Sequence, residues 1–462
     1  MASISKSALL TTLPPESSRP GQPARAKVVV LDDDPTGTQT VHGIPVLTEW
    51  SVTTLEAELR DPAPCFYLLT NTRAFPVGQA CDINREIGRN LSEASARAGR
   101  AFTVVSRSDS TLRGHYPAET DALMDSLGGG FDGTLIIPAF GAGGRYTIGD
   151  VHYVADGDNL TPAGATEFAR DASFGYRASN LRDWVEEKTG GRIPAAGVIS
   201  VSIEDLRGDR DEVVVDRLKA IPRGGAAIVN IAARSDFAAL TRALAVMEQA
   251  GKRYLFRTAG DFVAAYAGIG ARPLLTADEL RSSDTRTGGL LAAGSYVGKT
   301  SAQLDALFTG CPQLARIEMS VDRLLQEDTR PTEIARCTKE IEAQLATGRS
   351  VAIYTSRQLI TGRNAAESLA IGEKVSSSLV TVVKSLQVRP RWFVAKGGIT
   401  SSDLATKALG LRRAMILGQA LPGVPVWQAG PESKWPGMTY VVFPGNVGGP
   451  DAIRQLVASL TA

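Results

Sequence analysis

The chain has 462 residues, of which 43% are hydrophobic and 21% are charged, with 50 basic residues against 49 acidic ones. This composition excludes a largely disordered chain, and the length predicts two or three domains rather than one. A net charge of +1 without long runs of either sign gives no reason to expect nucleic-acid or membrane binding, although a local basic pocket for an anion remains open.

The first 25 residues are rich in Pro, Ser and Arg and lack a long apolar stretch, so they predict a flexible N-terminal arm rather than a signal peptide. No run of about 18 apolar residues occurs, and no transmembrane helix is expected. The cysteines form no CxxC pair and no zinc-type spacing, which indicates reduced thiols in the core. They are Cys65, Cys81, Cys311 and Cys337. We therefore expect a cytoplasmic protein.

From residue 26 onward, short apolar runs that end in polar or glycine residues alternate with helix-like segments. The runs of this first block are KVVVLDDD, CFYLLTN, AFTVVSRSDS, GTLIIPAFG, GVISVSI and AAIVNIAA. Residues 79–98 and 236–250 carry apolar residues at helical spacing and predict crossover helices. This order is typical of a parallel sheet covered by helices, whose chemistry collects at the carboxyl ends of the strands.

A polar stretch over residues 271–289 starts beside a proline and ends in paired glycines, which predicts an interdomain linker. After it the pattern restarts with GLLAAGS, ARIEMSV, SVAIYTS, RWFVAKGG, AMILG and TYVVFPGN. The sequence therefore predicts two three-layer α/β domains with mainly parallel sheets, over residues 26–270 and 290–462.

Three places in the second block share one pattern, a buried strand that runs into a glycine turn and then into a helix start. They are AAGSYVGKTSAQ, VAKGGITSSDLATKAL and VVFPGNVGGPDAIRQL. Glycine lets backbone amides approach a ligand, and free N–H groups at a helix start favour an anion. Tight glycine turns are also ordinary in parallel α/β domains, but three in one predicted sheet indicate a nucleotide phosphate site.

The first of these turns, GSYVGKT, ends like a P-loop at Gly298, Lys299 and Thr300. A P-loop requires a glycine five residues before Gly298, and that position is Ala293, with Gly294 one place too close. The turn therefore does not predict a Walker A motif.

The first strand of the first block ends in three adjacent carboxylates, Asp32, Asp33 and Asp34. Such neighbours repel one another unless cations or hydrogen bonds compensate, which is typical of functional sites. The turn at Pro35 and Gly37 would aim Asp34 and Thr36 into a cleft. The structural alternative is an Asx turn that caps a helix.

Basic side chains follow the next strands of the same predicted sheet. The segment SRSDSTLRGH offers Arg107, Asp109 and Arg113, and AFGAGGRYT offers Arg145. Arginine forks beside hydroxyl donors suit a carboxylate, and acidic groups opposite suit sugar hydroxyls. The histidines His42, His115 and His152 are too scattered for a metal cluster. The sequence has no GxSxG elbow and no GxGxxG at the first strand, which weakens the hydrolase and dehydrogenase interpretations.

Taken together, these motifs resemble the four-carbon acid sugar kinase family, whose members phosphorylate threonate, erythronate or 3-oxo-tetronate with ATP. The resemblance covers nearly the whole chain and rests on DDDPTGTQT, RSDSTLRGHYPAE, GRYTIGDVHYV, GGITSSDLATKAL, PGVPVW and FPGNVGGPDA. It implies that the first domain binds the sugar acid and that the second binds the nucleotide.

The resemblance also implies roles for individual residues. The DDxTG motif of the family matches Asp33, Asp34, Thr36 and Gly37. The nucleotide-binding positions match Ser295, Gly397, Gly398, Ile399, Thr400 and Gly445, although many members have an acidic residue in place of Ile399.

We therefore expect a kinase that transfers phosphate from ATP to a sugar acid, with Mg²⁺ bridging the phosphates through oxygen ligands that the sequence does not identify. Asp34 is the expected proton acceptor and Asp33 its helper, while Thr36, Arg107, Asp109, Arg113 and Arg145 are expected to bind the acid. A sugar-acid sensor, or a nucleotide-independent aldolase or isomerase acting on the same acid, remains an alternative. The resemblance also implies a possible homodimer, although nothing in the sequence shows an interface.

Overall fold

The computed structural model describes residues 4–281, 286–294, 298–357, 360, 365–445 and 447–461. Contacts divide the chain into two compact units, which are Met1–Pro45 with Glu49–Ala271, and Val46–Thr48 with Arg272–Ala462.

The strands, in chain order, are β1 (Ile4–Ser5), β2 (Lys27–Asp32), β3 (Ile44–Leu47), β4 (Cys65–Leu69), β5 (Phe102–Arg107), β6 (Gly133–Ile137), β7 (Arg145–Ile148), β8 (Val151–Asp156), β9 (Asn159–Pro162), β10 (Ile199–Val201), β11 (Ala226–Val229), β12 (Tyr254–Thr258), β13 (Leu290–Ala293), β14 (Ala315–Met319), β15 (Val351–Thr355), β16 (Phe393–Lys396), β17 (Arg413–Leu421), β18 (Val424–Ala429) and β19 (Thr439–Phe443).

The α-helices are α1 (Lys6–Thr11), α2 (Val52–Arg60), α3 (Val77–Ala98), α4 (Ala118–Ser126), α5 (Leu181–Lys188), α6 (Ile203–Arg207), α7 (Asp211–Lys219), α8 (Asp236–Gln249), α9 (Gly260–Tyr266), α10 (Ala277–Leu280), α11 (Gly298–Gly310), α12 (Val321–Leu325), α13 (Arg330–Ala346), α14 (Ala365–Ser385), α15 (Gly398–Asp403) and α16 (Ala452–Thr461). Short 3₁₀ turns at Pro35–Thr40 and Thr72–Ala74 matter for the site.

The first unit is built on a parallel sheet in the strand order β10-β11-β6-β12-β5-β2-β4. Its central strands are almost continuous apolar runs, because a strand covered by helices on both faces has no solvent side. All six residues of β2 and all five of β4 are buried. The carboxyl ends of β2, β5 and β12 consequently lie side by side, which places the residues that follow them at one edge.

The second unit repeats this design with an antiparallel addition. Strands β19, β16, β13, β15 and β14 are parallel, and β18 and β17 extend the sheet in antiparallel order beyond β19. The prediction of an α/β fold with mainly parallel sheets is confirmed. The predicted crossover helices are α3 and α8, and the twelve quoted apolar runs all contain strands.

Sequence reasoning missed several strands, and for different reasons. The antiparallel sheet β1-β9-β8-β7 has short strands without clear alternation, and β18 contains a proline. Strand β12, with the sequence YLFRT, is the most consequential omission, since it lies between β5 and β6 and brings Arg257 to the same edge.

The segments predicted to be a flexible arm and an interdomain linker contain ordered elements. Within the expected N-terminal arm, β1 pairs with β9, and the Asp158 carboxylate accepts hydrogen bonds from Ser5 Oγ at 2.7 Å and from the Ser7 backbone at 2.8 Å. Within the expected linker, a capping box starts α10, and Leu280 is buried in the core of the second unit.

The four cysteines are free and buried, as the prediction of core thiols required. In the part of the chain that the structure describes, no helix combines the length and apolarity needed to cross a membrane.

Candidate active site

The three aspartates at the end of β2 take up three different environments. Asp32 is buried, and its Oδ1 accepts from Arg107 Nη1 at 3.3 Å. Asp33 is buried and accepts from Ser108 Oγ at 2.7 Å. Asp34 caps the 3₁₀ turn with Oδ1, which accepts from the Thr36 backbone at 2.8 Å and from the Thr36 hydroxyl. Its side chain remains 23% exposed, so it is the one of the three that a ligand could reach.

Gly37 makes this packing feasible. A Cβ added to Gly37 would lie 2.0 Å from Asp32 Oδ2, far inside contact distance. A glycine is therefore required here for close approach, because only a hydrogen fits beside the buried carboxyl.

Arg73 joins the acidic residues into one cluster. Its Nη2 lies 2.9 Å from Asp34 Oδ2, its Nε 3.1 Å from Asp33 Oδ1, and its Nη1 3.8 Å from Asp109 Oδ1. The guanidinium comes from the 3₁₀ turn after β4, which follows Asn71 in the left-handed conformation at φ 53°. One rigid cation thus contacts carboxylates that follow two different strands, β2 and β5.

The pKa directions of these carboxyls follow from burial set against the same cation. Burial alone would raise the pKa of Asp34, but Arg73 and the two Thr36 donors outweigh it and leave the pKa lowered. The pKa of Asp109 is likewise lowered against burial, by Arg73 and Arg113. For Asp33, burial dominates over Arg73 and raises the pKa. Asp34 is therefore the ionised and accessible member of the motif.

Two further arginines, Arg107 and Arg257, contact residues of the cluster from buried positions. Arg107 pairs with Asp32, and Arg257 Nη2 donates to the Arg113 carbonyl at 3.1 Å and to Ser108 Oγ at 3.3 Å. Both side chains are almost fully buried. Arg107 therefore lies inside the charge network.

A second acidic group with an unusual environment is Glu119, in the first turn of α4. Its Oε2 accepts from Thr72 Oγ1 at 3.2 Å, whereas its buried Oε1 has no hydrogen-bond partner among the described residues. Burial, and after it the charge of Asp33, raises the pKa of Glu119 to about 7. Burial likewise raises the pKa of Asp32 to about 7, despite the opposing charge of Arg107.

At the outer side of the network, two arginines share the ring of Phe168. The guanidinium of Arg113 lies 5.2 Å from the ring centroid and that of Arg145 lies 5.8 Å from it. Arg113 Nε also donates to Asp109 Oδ2 at 2.6 Å. Arg145 makes no ion pair with a described carboxylate, and its Nε has no described hydrogen-bond partner. This pair supplies cationic donors suited to a carboxylate or phosphate.

In the second unit, the structure brings the predicted glycine turns together. A Cβ on Gly294 would lie 2.8 Å from Thr400 Oγ1, and the Gly397 backbone donates to the Phe443 carbonyl at 2.8 Å. Gly397 has φ 109°, a conformation that favours glycine. Gly398 and Ile399 start α15, and Gly445 follows β19. Ser295 lies outside the described residues.

Sequence reasoning missed Arg73, Glu119 and Arg257 in the first unit and Lys396 in the second. Arg73 follows the predicted strand β4, so a search of that strand end for cations would have found it, whereas Arg257 lies on β12, which was not predicted as a strand. No sequence pattern pointed to Glu119, because its proximity to Asp33 depends on how α4 packs against the sheet. Lys396 precedes the quoted glycines directly.

Among the described residues, no group of three or more His, Cys, Asp or Glu side chains is arranged to hold a metal ion. The acidic cluster already has its charges opposed by arginines. Within the described residues, these carboxylates do not fit a resident ion in an all-protein cage.

Family models match both units of the chain. A model described as a sugar-binding N-terminal domain matches residues 28–266, and one described as a nucleotide-binding C-terminal domain matches residues 290–453. The protein is thus built of a sugar-binding and a nucleotide-binding domain. More particularly, the chain belongs to the four-carbon acid sugar kinase family, the family that its motifs resemble.

Two solved structures have a similar fold over most of the chain. Protein HI1011 of Haemophilus influenzae is 18% identical, with a TM-score of 0.64 over 94% of this chain and 100% of its own. A Salmonella typhimurium LT2 protein, provisionally described as a tRNA synthase, is 16% identical, with a TM-score of 0.66 over 94% of this chain and 98% of its own. At such identities the likeness shows the fold alone. A comparison with curated protein sequences finds no match.

The raised pKa of Glu119 predicts a pH-dependent stability. The folded chain favours the protonated carboxyl, so this contribution to stability is fully present below the unfolded pKa and is lost as pH rises through about 7. Glu119→Gln cannot ionise. Its free energy of unfolding relative to wild type should therefore increase between about pH 5 and pH 8, by the order of 1–3 kcal/mol.

Denaturant melts of both proteins at the two pH values measure this change. Glu86→Gln, at an exposed position of α3, is the matched control and should show little pH-dependent difference. A difference between Glu119→Gln and wild type that is the same at both pH values would contradict the buried-acid assignment.

Proposed function

We propose that this protein is an ATP-dependent kinase that phosphorylates a hydroxyl of a small, four-carbon sugar acid. The observation that carries the proposal is Asp34, an ionised and partly exposed carboxylate fixed between Arg73 and Thr36 in the sugar-binding domain. The nucleotide-binding domain supplies the second requirement, a place for the phosphate donor.

In the proposed reaction, Asp34 accepts a hydrogen bond from the attacked hydroxyl and orients its oxygen toward the γ-phosphorus of ATP. A new O–P bond forms as the bond to ADP breaks, and the hydroxyl proton passes to the Asp34 carboxylate and then to water. Because the transition state of phosphoryl transfer is loose, the attacked hydroxyl needs only a weak base as its proton acceptor, and a carboxylate of lowered pKa is adequate. Mg²⁺ on the phosphates would neutralise part of their charge.

Arg113 and Arg145 are proposed to hold the carboxylate of the acid, with the Phe168 ring keeping both guanidiniums in place. Arg107 and Asp109 contribute from inside the ion-pair network, and Asp33 fixes Arg73. Ser295, Gly397, Gly398, Ile399, Thr400 and Gly445 are proposed to contact the nucleotide, on the family resemblance and the convergence of the described turns.

A coupled assay of ADP release over a panel of four-carbon sugar acids tests the function directly. We expect ADP release that requires both ATP and one of the acids. A folded protein that binds an acid in calorimetry without releasing ADP would contradict the kinase and favour a sensor. Conversion of an acid without ATP would favour an aldolase or isomerase.

The proposed carboxylate site predicts a selective effect of Arg145→Met. Loss of a charge-assisted hydrogen bond typically costs about 1.5–3 kcal/mol, which is roughly ten- to a hundredfold in affinity. The KM for the acid should rise by such a factor while the KM for ATP changes little. Arg113→Met should act in the same direction. Arg89→Met, at an exposed position of α3, is the control and should leave both constants unchanged. Equal effects on both substrates would count against this placement.

The role of Asp34 predicts a loss of turnover in Asp34→Asn. Asn has nearly the same shape and also caps helices well, but it cannot accept the proton. The kcat should fall about a hundred- to ten-thousandfold, while both substrates still bind and the melting temperature changes only modestly. Kinetics and thermal melts on one preparation measure both quantities.

Asp61→Asn is the matched control, because Asp61 forms another Asx turn, accepting from the Ala63 backbone at 2.8 Å, before β4 begins. That variant should keep its turnover. Near-normal kcat in folded Asp34→Asn would mean that Asp34 only caps its turn, and attention would shift to Asp33 or Asp109.

A further inference from the structure

Lys396, the last residue of β16, is fully buried at the edge where the glycine turns of the second unit meet. Its Nζ donates to the Pro444 carbonyl at 2.6 Å and to the Gly445 carbonyl at 3.1 Å. It also lies 4.4 Å from the centroid of the Phe443 ring. These hydrogen bonds therefore connect the turn after β19 to the end of β16, which directly precedes Gly397 and Gly398.

The charge of this lysine is not balanced by any described carboxylate. No described acidic side chain forms an ion pair with Nζ, and Lys299 in the first turn of α11 adds a second positive charge. Burial, and to a smaller extent the charge of Lys299, lowers the pKa of Lys396 to about 7. A buried ammonium that has only carbonyl and aromatic partners is costly, which is why the neutral amine competes with it.

Among the described residues, the other elements packed around Lys396 bring no further charge to it. Its neighbours across the sheet are Ala293 of β13 and Phe443 of β19, both apolar. The residues that open α15 are Gly398, Ile399 and Thr400, all uncharged. Residues 272–462 also contain no histidine that could titrate near neutral pH.

No described side chain covers Gly445 in the turn that Lys396 contacts. A Cβ added to Gly445 would meet nothing within 4 Å, and Gly445 is only partly buried. A polyphosphate beside Gly397 and Gly445 would bring negative charge close to Nζ without displacing any described side chain from Gly445.

We propose that Lys396 is the cation that opposes the nucleotide phosphates, and that its amine takes up one proton from solution when nucleotide binds. The inference rests on the proposed function, since it needs nucleotide at these turns. Proton uptake follows because phosphate charge favours the ammonium over the amine, and the same linkage makes binding tighter where the ammonium already exists. Lys396 would in this way both hydrogen-bond to the turn after β19 and attract the negative charge of the phosphates.

Calorimetric titration of the full chain with ADP tests this, at about pH 8, where the terminal phosphate of ADP is already ionised. Comparing two buffers with different ionisation enthalpies gives the number of protons taken up. We expect close to one proton per ADP at about pH 8 and much less at about pH 6. The dissociation constant should rise by up to about tenfold per pH unit above pH 7.

Three variants separate this role from a purely structural one. Lys396→Arg keeps a permanent charge and should bind ADP without proton uptake. Lys396→Met should lose both the uptake and at least about tenfold in affinity. Lys374→Met, at an exposed position of α14, is the control and should behave as wild type.

The wild-type measurement decides the matter even if a variant at Lys396 fails to fold. ADP binding without proton uptake, at an affinity independent of pH, would overturn the role of Lys396 while leaving nucleotide binding intact. Failure of the folded wild-type chain to bind ADP or ATP at all would instead overturn the proposed function, and this inference with it.

Discussion

The ion-pair fork of Arg73 is the interaction on which the first-unit site depends. Its three nitrogens lie within 2.9 to 3.8 Å of carboxylate oxygens on Asp34, Asp33 and Asp109, which follow two different strands of one sheet. Without a cation there, adjacent buried carboxylates would repel one another and take up protons. The planar guanidinium also fixes their directions, which a lysine could not do.

Small differences in exposure then give neighbouring residues of one type different properties. Asp33 and Asp34 both contact Arg73, but the side chain of Asp33 is 4% exposed and that of Asp34 is 23% exposed. Burial raises the pKa of the first, and Arg73 with the Thr36 donors lowers the pKa of the second. Of these two adjacent aspartates, Asp33 is therefore a buried partner of Arg73, and Asp34 is the carboxylate that a ligand can reach.

The second unit has a buried cation where the first unit has buried carboxylates. There a buried lysine lies beside backbone carbonyls at the meeting point of glycine turns, and no described carboxylate balances it. In the first unit the buried carboxylates at the end of β2 lie beside arginines, whereas in the second unit no described carboxylate forms an ion pair with the buried lysine. This division agrees with a sugar-binding domain followed by a nucleotide-binding one.

The sequence by itself determined the α/β class, because buried parallel strands appear as continuous apolar runs that end in polar or glycine residues. It also located Asp33, Asp34 and the glycine turns, since the residues after such strands share one edge of a sheet. Only the tertiary structure showed that Arg73, Arg257 and Glu119 join this cluster. Their positions depend on a left-handed Asn71, on a strand inserted between β5 and β6, and on the packing of α4. Contacts between residues far apart in the chain, and the burial that sets their pKa values, are properties of packing that no local pattern encodes.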